Sequence, residues 1–112
     1  MTLDQIIHTL HLKVLTDPQD FTQVEPHGVY ASDMLSCVMT GAPHGGLWIT
    51  LQAHVNIVAV AALLDLAAVI ITEDAQPDDS TVQKANEKGV TLLATTAQTY
   101  TVCGHLWELG LR

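Results

Sequence analysis

Residues Gly45 to Thr72, GGLWITLQAHVNIVAVAALLDLAAVIIT, leave few ways to fold. Leu47 to Leu51 is rich in β-formers. Gln52, His54 and Asn56 then break an apolar run where a strand would hand over to a helix, and β-branched Val69, Ile70 and Ile71 follow Asp65. The order is strand, polar turn, buried helix, buried strand, the signature of a sheet covered on both faces. In open α/β sheets such a junction is where ligands sit. A membrane span fits poorly. Val55 to Ile71 is apolar apart from Asn56 and Asp65, but a span needs about 20 apolar residues with suitable flanks. Asp65 falls mid-run, and no Lys or Arg flanks either end.

A chain of 112 residues predicts one domain, 1–112, and 48% hydrophobic content supports a real core. The start, MTLDQIIHTL, has no basic stretch followed by an apolar one, so no signal peptide is expected. Cys37 and Cys103 are too few and too far apart for a disulfide framework. Reduced thiols in a cytoplasmic protein are expected.

The net charge is -8, and the cations are Lys13, Lys84, Lys88 and Arg112. Nucleic-acid binding needs a basic face that releases counterions from phosphates, and none can be built here. An anionic membrane surface is excluded on the same ground. A phosphorylated ligand would rely on backbone N–H groups at helix N-termini, or on a partner's basic groups.

Along the chain, Leu3, Ile6, Ile7 and Leu10 fall on one helix face, with Thr2 and Gln5 as a capping box. Leu12–Leu15 predicts a short strand, Asp17–Pro26 a loop, and Gly28–Ala31 another strand. Ser32 is a good N-cap for a helix with Leu35, Val38 and Met39 inward, stopped by Gly41. After the central block, Glu73–Asp79 is an acidic loop. Ser80 and Gln83 form a second capping box, for a helix ending at Gly89. Val90–Ala94 predicts the last strand. Thr95 or Thr96 caps a final helix with Tyr100, Cys103 and Trp107 inward. The expected fold is α/β: one three-layer domain, with a mainly parallel sheet of about 4–5 strands flanked by helices and right-handed crossovers. The strand ends then line up Ala31–Asp33, Gln52–His54, Thr72–Asp74 and Thr95–Thr96 along one sheet edge.

Motifs for chemistry are sparse. There is no GxxxxGK[ST], GxGxxG or GxSxG. His8 and His11 share a helical spacing, but the helix is expected to end between them and no third ligand is near, so no metal site is assigned. His54 stands out at the strand–helix junction, either as a cap or as a ligand contact. The acids Asp33, Asp65, Glu73 and Asp74 show no spacing of paired catalytic carboxylates, and no nucleophile with base and orienting acid can be nominated.

Set side by side, Gly28-Val29-Tyr30-Ala31-Ser32-Asp33-Met34-Leu35-Ser36 and Leu47-Trp48-Ile49-Thr50-Leu51-Gln52-Ala53-His54-Val55-Asn56-Ile57-Val58-Ala59-Val60-Ala61 resemble a stand-alone DRTGG-domain protein over nearly the whole chain. That family is similar in fold to the N-terminal domain of HPr kinase/phosphorylase, and the second block resembles the N-terminal domain of Mur ligases. The resemblance implies a small α/β domain with a regulatory role. In larger proteins such domains accompany phosphotransacetylase or pyrophosphatase modules; stand-alone members are associated with hydrogenase-type redox gene clusters. The namesake motif is degenerate here. Val24-Glu25-Pro26-His27-Gly28-Val29 keeps Gly28 but lacks the Arg and the second Gly.

These readings converge on a non-enzymatic cytoplasmic sensor that binds a small molecule, an adenine nucleotide among the candidates, at the C-terminal edge of its sheet. The site residues would be Gly28, Ser32, Asp33, Gln52, His54 and Asn56, with no catalytic residue, metal or cofactor. The alternative is an adaptor or homodimerisation module for a redox or kinase partner, since the aliphatic content exceeds what a lone small domain needs. An enzymatic reading rests on family analogy alone.

Overall fold

The computed structural model describes all residues, Met1–Arg112. The chain runs α1 (Leu3–Leu10), β1 (Lys13–Val14), a 3-10 turn (Phe21–Gln23), β2 (Val29–Ala31), α2 (Leu35–Gly41), β3 (Leu47–Thr50), α3 (Asn56–Leu63), β4 (Ala68–Ile71), α4 (Asp79–Lys88), β5 (Leu92–Ala94) and α5 (Thr99–Glu108). The sheet order is β1-β5-β4-β3-β2, with β2 to β5 parallel and β1 antiparallel on the edge beside β5. Because β2, β3, β4 and β5 are laid down side by side in one direction, crossovers of one hand put α2, α3 and α4 on the same face. Val38, Ile57, Val58, Val60, Ala61 and Ala85 pack there with Trp48, Val69, Ile71 and Leu92. The other face carries α1 and α5, whose Leu3, Ile6, Val102 and Leu106 meet Leu47, Ile49, Ala68, Ile70 and Leu93. Strands β3 and β4 are therefore buried on both sides, as their continuous apolar sequence requires. No helix is long and apolar enough to cross a membrane.

Local signals explain most boundaries. Thr2 and Gln5 form the expected capping box on α1, and Gly89 ends α4 in the left-handed region at φ 69°. His11 closes α1 at φ 54°, so His8 and His11 do not share a helix face.

Several expectations need correction. Ser32 does not cap α2; its hydroxyl accepts the Met34 N–H at 3.1 Å, and the helix starts later, at Leu35. Asp33 between them is tied by its side chain to the end of β3, and the backbone is still extended at Met34, the cap position. Met39 points outward, 47% exposed. Gly41 is the last helical residue rather than the stop; any Cβ there would lie 2.5 Å from the Tyr30 ring. On α4, Asp78 rather than Ser80 is the cap, accepting from the N–H and hydroxyl of Thr81. On α5 the helix starts at Thr99, past both Thr95 and Thr96. The inner residues are consequently Val102 and Leu106, while Tyr100 and Trp107 are 87% and 60% exposed. The loop Asp17–Pro26 contains the 3-10 turn, which seats Phe21 beneath α1.

Candidate functional site

Strands β2 to β5 end on one side of the molecule, at Ala31, Thr50, Ile71 and Ala94. The segments that follow are stitched together by side chains. One Asp33 carboxylate oxygen accepts from the Thr50 hydroxyl at 2.8 Å and the Leu51 N–H at 2.9 Å. The Gln52 side-chain amide donates to the Asp33 carbonyl at 3.2 Å. Ser32 gives its carbonyl to the indole N–H of buried Trp48 at 2.8 Å. Ser32, Asp33 and Gln52 thus bind the tip of β2 to the tip of β3.

His54 and Asn56 stand further along the same edge, exposed, at the start of α3. His54 Nδ1 accepts the Asn56 N–H at 3.2 Å. The next two donors, Ile57 and Val58, go to the carbonyls of His54 and Val55. Gly28, grouped with these residues by sequence, lies at the opposite end of the sheet, before β2. Its carbonyl accepts the Leu47 N–H at 2.9 Å, its φ is +99°, and a Cβ would press Pro43 at 3.2 Å. The glycine is required there by the turn and is not brought to the site.

The far half of the edge, Thr72–Asp74 and Thr95–Thr96, was placed here by the strand order in the sequence, but none of its residues was among the expected site residues. Glu73 and Asp74 leave β4 at φ 60° and 59°, a conformation costing roughly 1–2 kcal/mol for each non-glycine residue. The surrounding hydrogen bonds hold it: Glu73 N–H to the Ala97 carbonyl at 2.8 Å, and Asp74 N–H to the Thr95 carbonyl at 3.1 Å. The Glu73 carboxylate accepts the Thr99 N–H at the start of α5, at 3.2 Å. Buried Thr72 bridges β4 to β3 and α5 through the Thr50 carbonyl and the Thr99 hydroxyl.

Three helix starts on this edge thereby carry their own caps: His54 on α3, Asp78 on α4 and Glu73 on α5. Hydrogen bonds from the Thr81 hydroxyl, the Thr81 N–H and the Ser80 hydroxyl hold Asp78 below the usual carboxylate range, with nearby His54 adding a smaller pull. At each of these starts one backbone donor that a phosphate would use, the N–H of Asn56, Thr81 or Thr99, is occupied by the chain's own side chain.

Concave surface lies beside β5 and β1. A cleft of about 270 Å³ is lined by His11, Lys13, Asp74, Gln76, Thr95 and Thr96, among others. It shares Lys13, Leu15 and Gln76 with a wider one of about 480 Å³, which runs past Asp79, Gln83 and Asn86 of α4. Lys13 is the one cation of either. The strand-end rule pointed to this edge at β4 and β5 as well as at β3, but the part played by His11 and Lys13, which come from the distant first segment, had no sequence signal. No group of three or more His, Cys, Asp or Glu is placed to hold a metal ion.

This is a parallel α/β domain whose strand ends carry a polar, self-capped edge and an open cleft. The chain belongs to the DRTGG domain family, whose model matches residues 5–109. It is similar to a solved structure, the crystal structure of the CBS and DRTGG domains of the regulatory region of Clostridium perfringens pyrophosphatase, complexed with the activator diadenosine tetraphosphate. The TM-score is 0.75 at 20% identity, and the match covers 92% of this chain but 44% of that one. No curated protein sequence matches.

Proposed function

We propose that this domain is a non-catalytic regulatory module that senses a small metabolite at the C-terminal edge of its sheet. The observation that carries the reading is the open polar cleft at the ends of β4 and β5, with Thr95, Thr96, Gln76, Asp74, His11 and Lys13 converging on it. Hydroxyl, amide, acid and single cationic groups in one cleft suit a polar ligand of low net charge. Gln52, His54 and Asn56 extend the recognition surface along the same edge. Ser32 and Asp33 position it, and Gly28 shapes the turn at the other end.

The family supports an adenine nucleotide as the ligand class, because the related pyrophosphatase regulatory region is complexed with a dinucleoside polyphosphate activator. The charge pattern sets the mode. With Glu73 and Asp78 capping their helices and Lys13 alone in the cleft, the base and ribose make the contacts and at most one phosphate is neutralised. A long polyphosphate would meet the net charge of -8.

Thermal shift against adenosine, AMP, ATP and diadenosine tetraphosphate tests this. A ligand at about 100 times its dissociation constant adds about 2.7 kcal/mol. AMP should raise Tm more than ATP, and Thr96→Val with Lys13→Ala should abolish the shift, with His54→Ala reducing it. A flat response to all four at millimolar concentration rejects the reading.

A further inference from the structure

We infer that the outer face of α3 is the contact surface between two copies of this chain. A surface helix ordinarily carries an apolar stripe toward the core and charge toward water. Helix α3 does not. No charged residue occurs from Val55 to Leu64. Ile57, Val58, Val60 and Ala61 face the sheet; the outward positions are Val55, Asn56, Ala59, Ala62 and Leu63, apolar but for Asn56 at the helix start, with Leu63 64% exposed. Their spacing is that of a helix-packing face, and the two alanines allow another helix to approach closely.

The face is complementary to itself. Leu63 is a projecting apolar knob. Beside it, between α3 and α4, lies a cleft of about 290 Å³ lined by Val55, Val58, Ala59, Ala62, Lys84 and Lys88. A two-fold axis crossing α3 near Ala59 and Ala62 seats the knob of each copy in the cleft of the other, as an isologous interface requires.

Charge selects the second copy. Each chain bears -8, so two copies repel except where cations stand beside apolar surface. Two of the four basic side chains, Lys84 and Lys88, border this cleft. Lys84 has only a long 3.8 Å contact to exposed Glu87, and Lys88 has no ion-pair partner. Asp65, exposed and two residues beyond Leu63, has no ion-pair partner in its own chain. Seating Leu63 in the cleft brings Asp65 of the second copy to these lysines. Other exposed apolar side chains are less suited: Met1 and Met39 stand singly, Met34 and Leu51 flank the Asp33 carboxylate, Tyr100 follows the helix start capped by Glu73, and Trp107 lies under Arg112. A standard interface takes about 800 Å² from each partner, roughly an eighth of the 6009 Å² surface.

Light scattering and sedimentation without any ligand test the inference separately from sensing. The wild-type chain should weigh twice 12.1 kDa. Leu63→Glu should give a monomer with unchanged circular dichroism. Lys84→Glu with Lys88→Glu should weaken the dimer about tenfold or more, and adding Asp65→Lys should restore it. A wild-type monomer at millimolar concentration, a dimer that survives Leu63→Glu, or a lysine pair whose loss is not rescued by Asp65→Lys would each overturn the assignment.

Discussion

Helices α3 and α4 lie side by side on one face of the sheet, yet they are specified in different ways. Helix α4 is written in local signals: Asp78 caps it, Asp79 sits in its first turn, Lys88 in its last, and Gly89 closes it in the left-handed region. It buries little, chiefly Thr81 and Ala85. Helix α3 has an unremarkable start, with Val55 at the cap position offering no side-chain bond. Its position comes from burial, with Ile57 and Val58 inaccessible against the sheet. The contrast teaches that α4 is placed by its own local signals, while α3 is placed by burial of one face and leaves Val55, Ala59, Ala62 and Leu63 exposed on the other.

The largest test of this contrast sets the two sides of α3 against each other. Ile57→Ala should cost about 2–5 kcal/mol in urea unfolding, through lost transfer energy and a residual cavity. Leu63→Ala, measured at concentrations where the chain is monomeric, should stay within about 0.5 kcal/mol. Equal costs would mean that the outer face already packs within one chain.

Next comes the stop signal of α4. Gly89 has φ 69° and no atom within 4 Å of a built Cβ. Gly89→Ala should therefore cost roughly 1–2 kcal/mol from backbone strain alone. No loss of stability would show that the helix end readily adopts another conformation.

Titration of the α4 cap follows. The folded-state value of Asp78 is lowered by its bonds from Thr81 and Ser80. A depressed carboxylate contributes stability that is full above the unfolded value of about 3.9 and is lost as pH falls through the lower folded value. Asp78→Ala should accordingly lower Tm at neutral pH, and the gap from wild type should close on acidification. A gap that persists in strong acid would assign the effect to something other than this charge.

The smallest effect belongs to α3's substitute cap. His54→Ala removes one acceptor for the Asn56 N–H at an exposed site, worth at most about 1 kcal/mol. A larger loss in thermal unfolding would make His54 a structural residue and leave it little freedom to meet a ligand.

Much of the fold was legible because the cues were local. The capping box of Thr2 and Gln5, the β-branched run Val69–Ile71 and the glycine at 89 each act within a few residues. The errors arose where distant groups intervene. Ser32 looks like a cap, but Asp33 is captured by Thr50 and Leu51 from the neighbouring strand, and α2 starts at Leu35. Thr95 and Thr96 look like caps for α5, but Glu73 from the preceding strand end supplies the bond at Thr99. That later start turned Tyr100 and Trp107 outward.

The candidate site divides the same way. The strand-end rule located the edge, and Gln52, His54 and Asn56 do lie along it. Gly28 was drawn in because it belongs to the degenerate motif, and only the sheet showed that it sits at the other end. The cleft around Lys13, Asp74, Thr95 and Thr96 joins residues from three separated segments.

By itself the sequence determined most of the element types, the doubly buried strands, the net acidity and the uncharged run along α3, because these follow from periodicity and composition. The tertiary structure decided which carboxylate caps which helix, which half of the edge is concave, and which face of α3 is left bare. Those depend on contacts between residues far apart in the chain, where Asp33, Glu73 and Asp78 are drawn to whichever backbone donors the packed sheet sets before them.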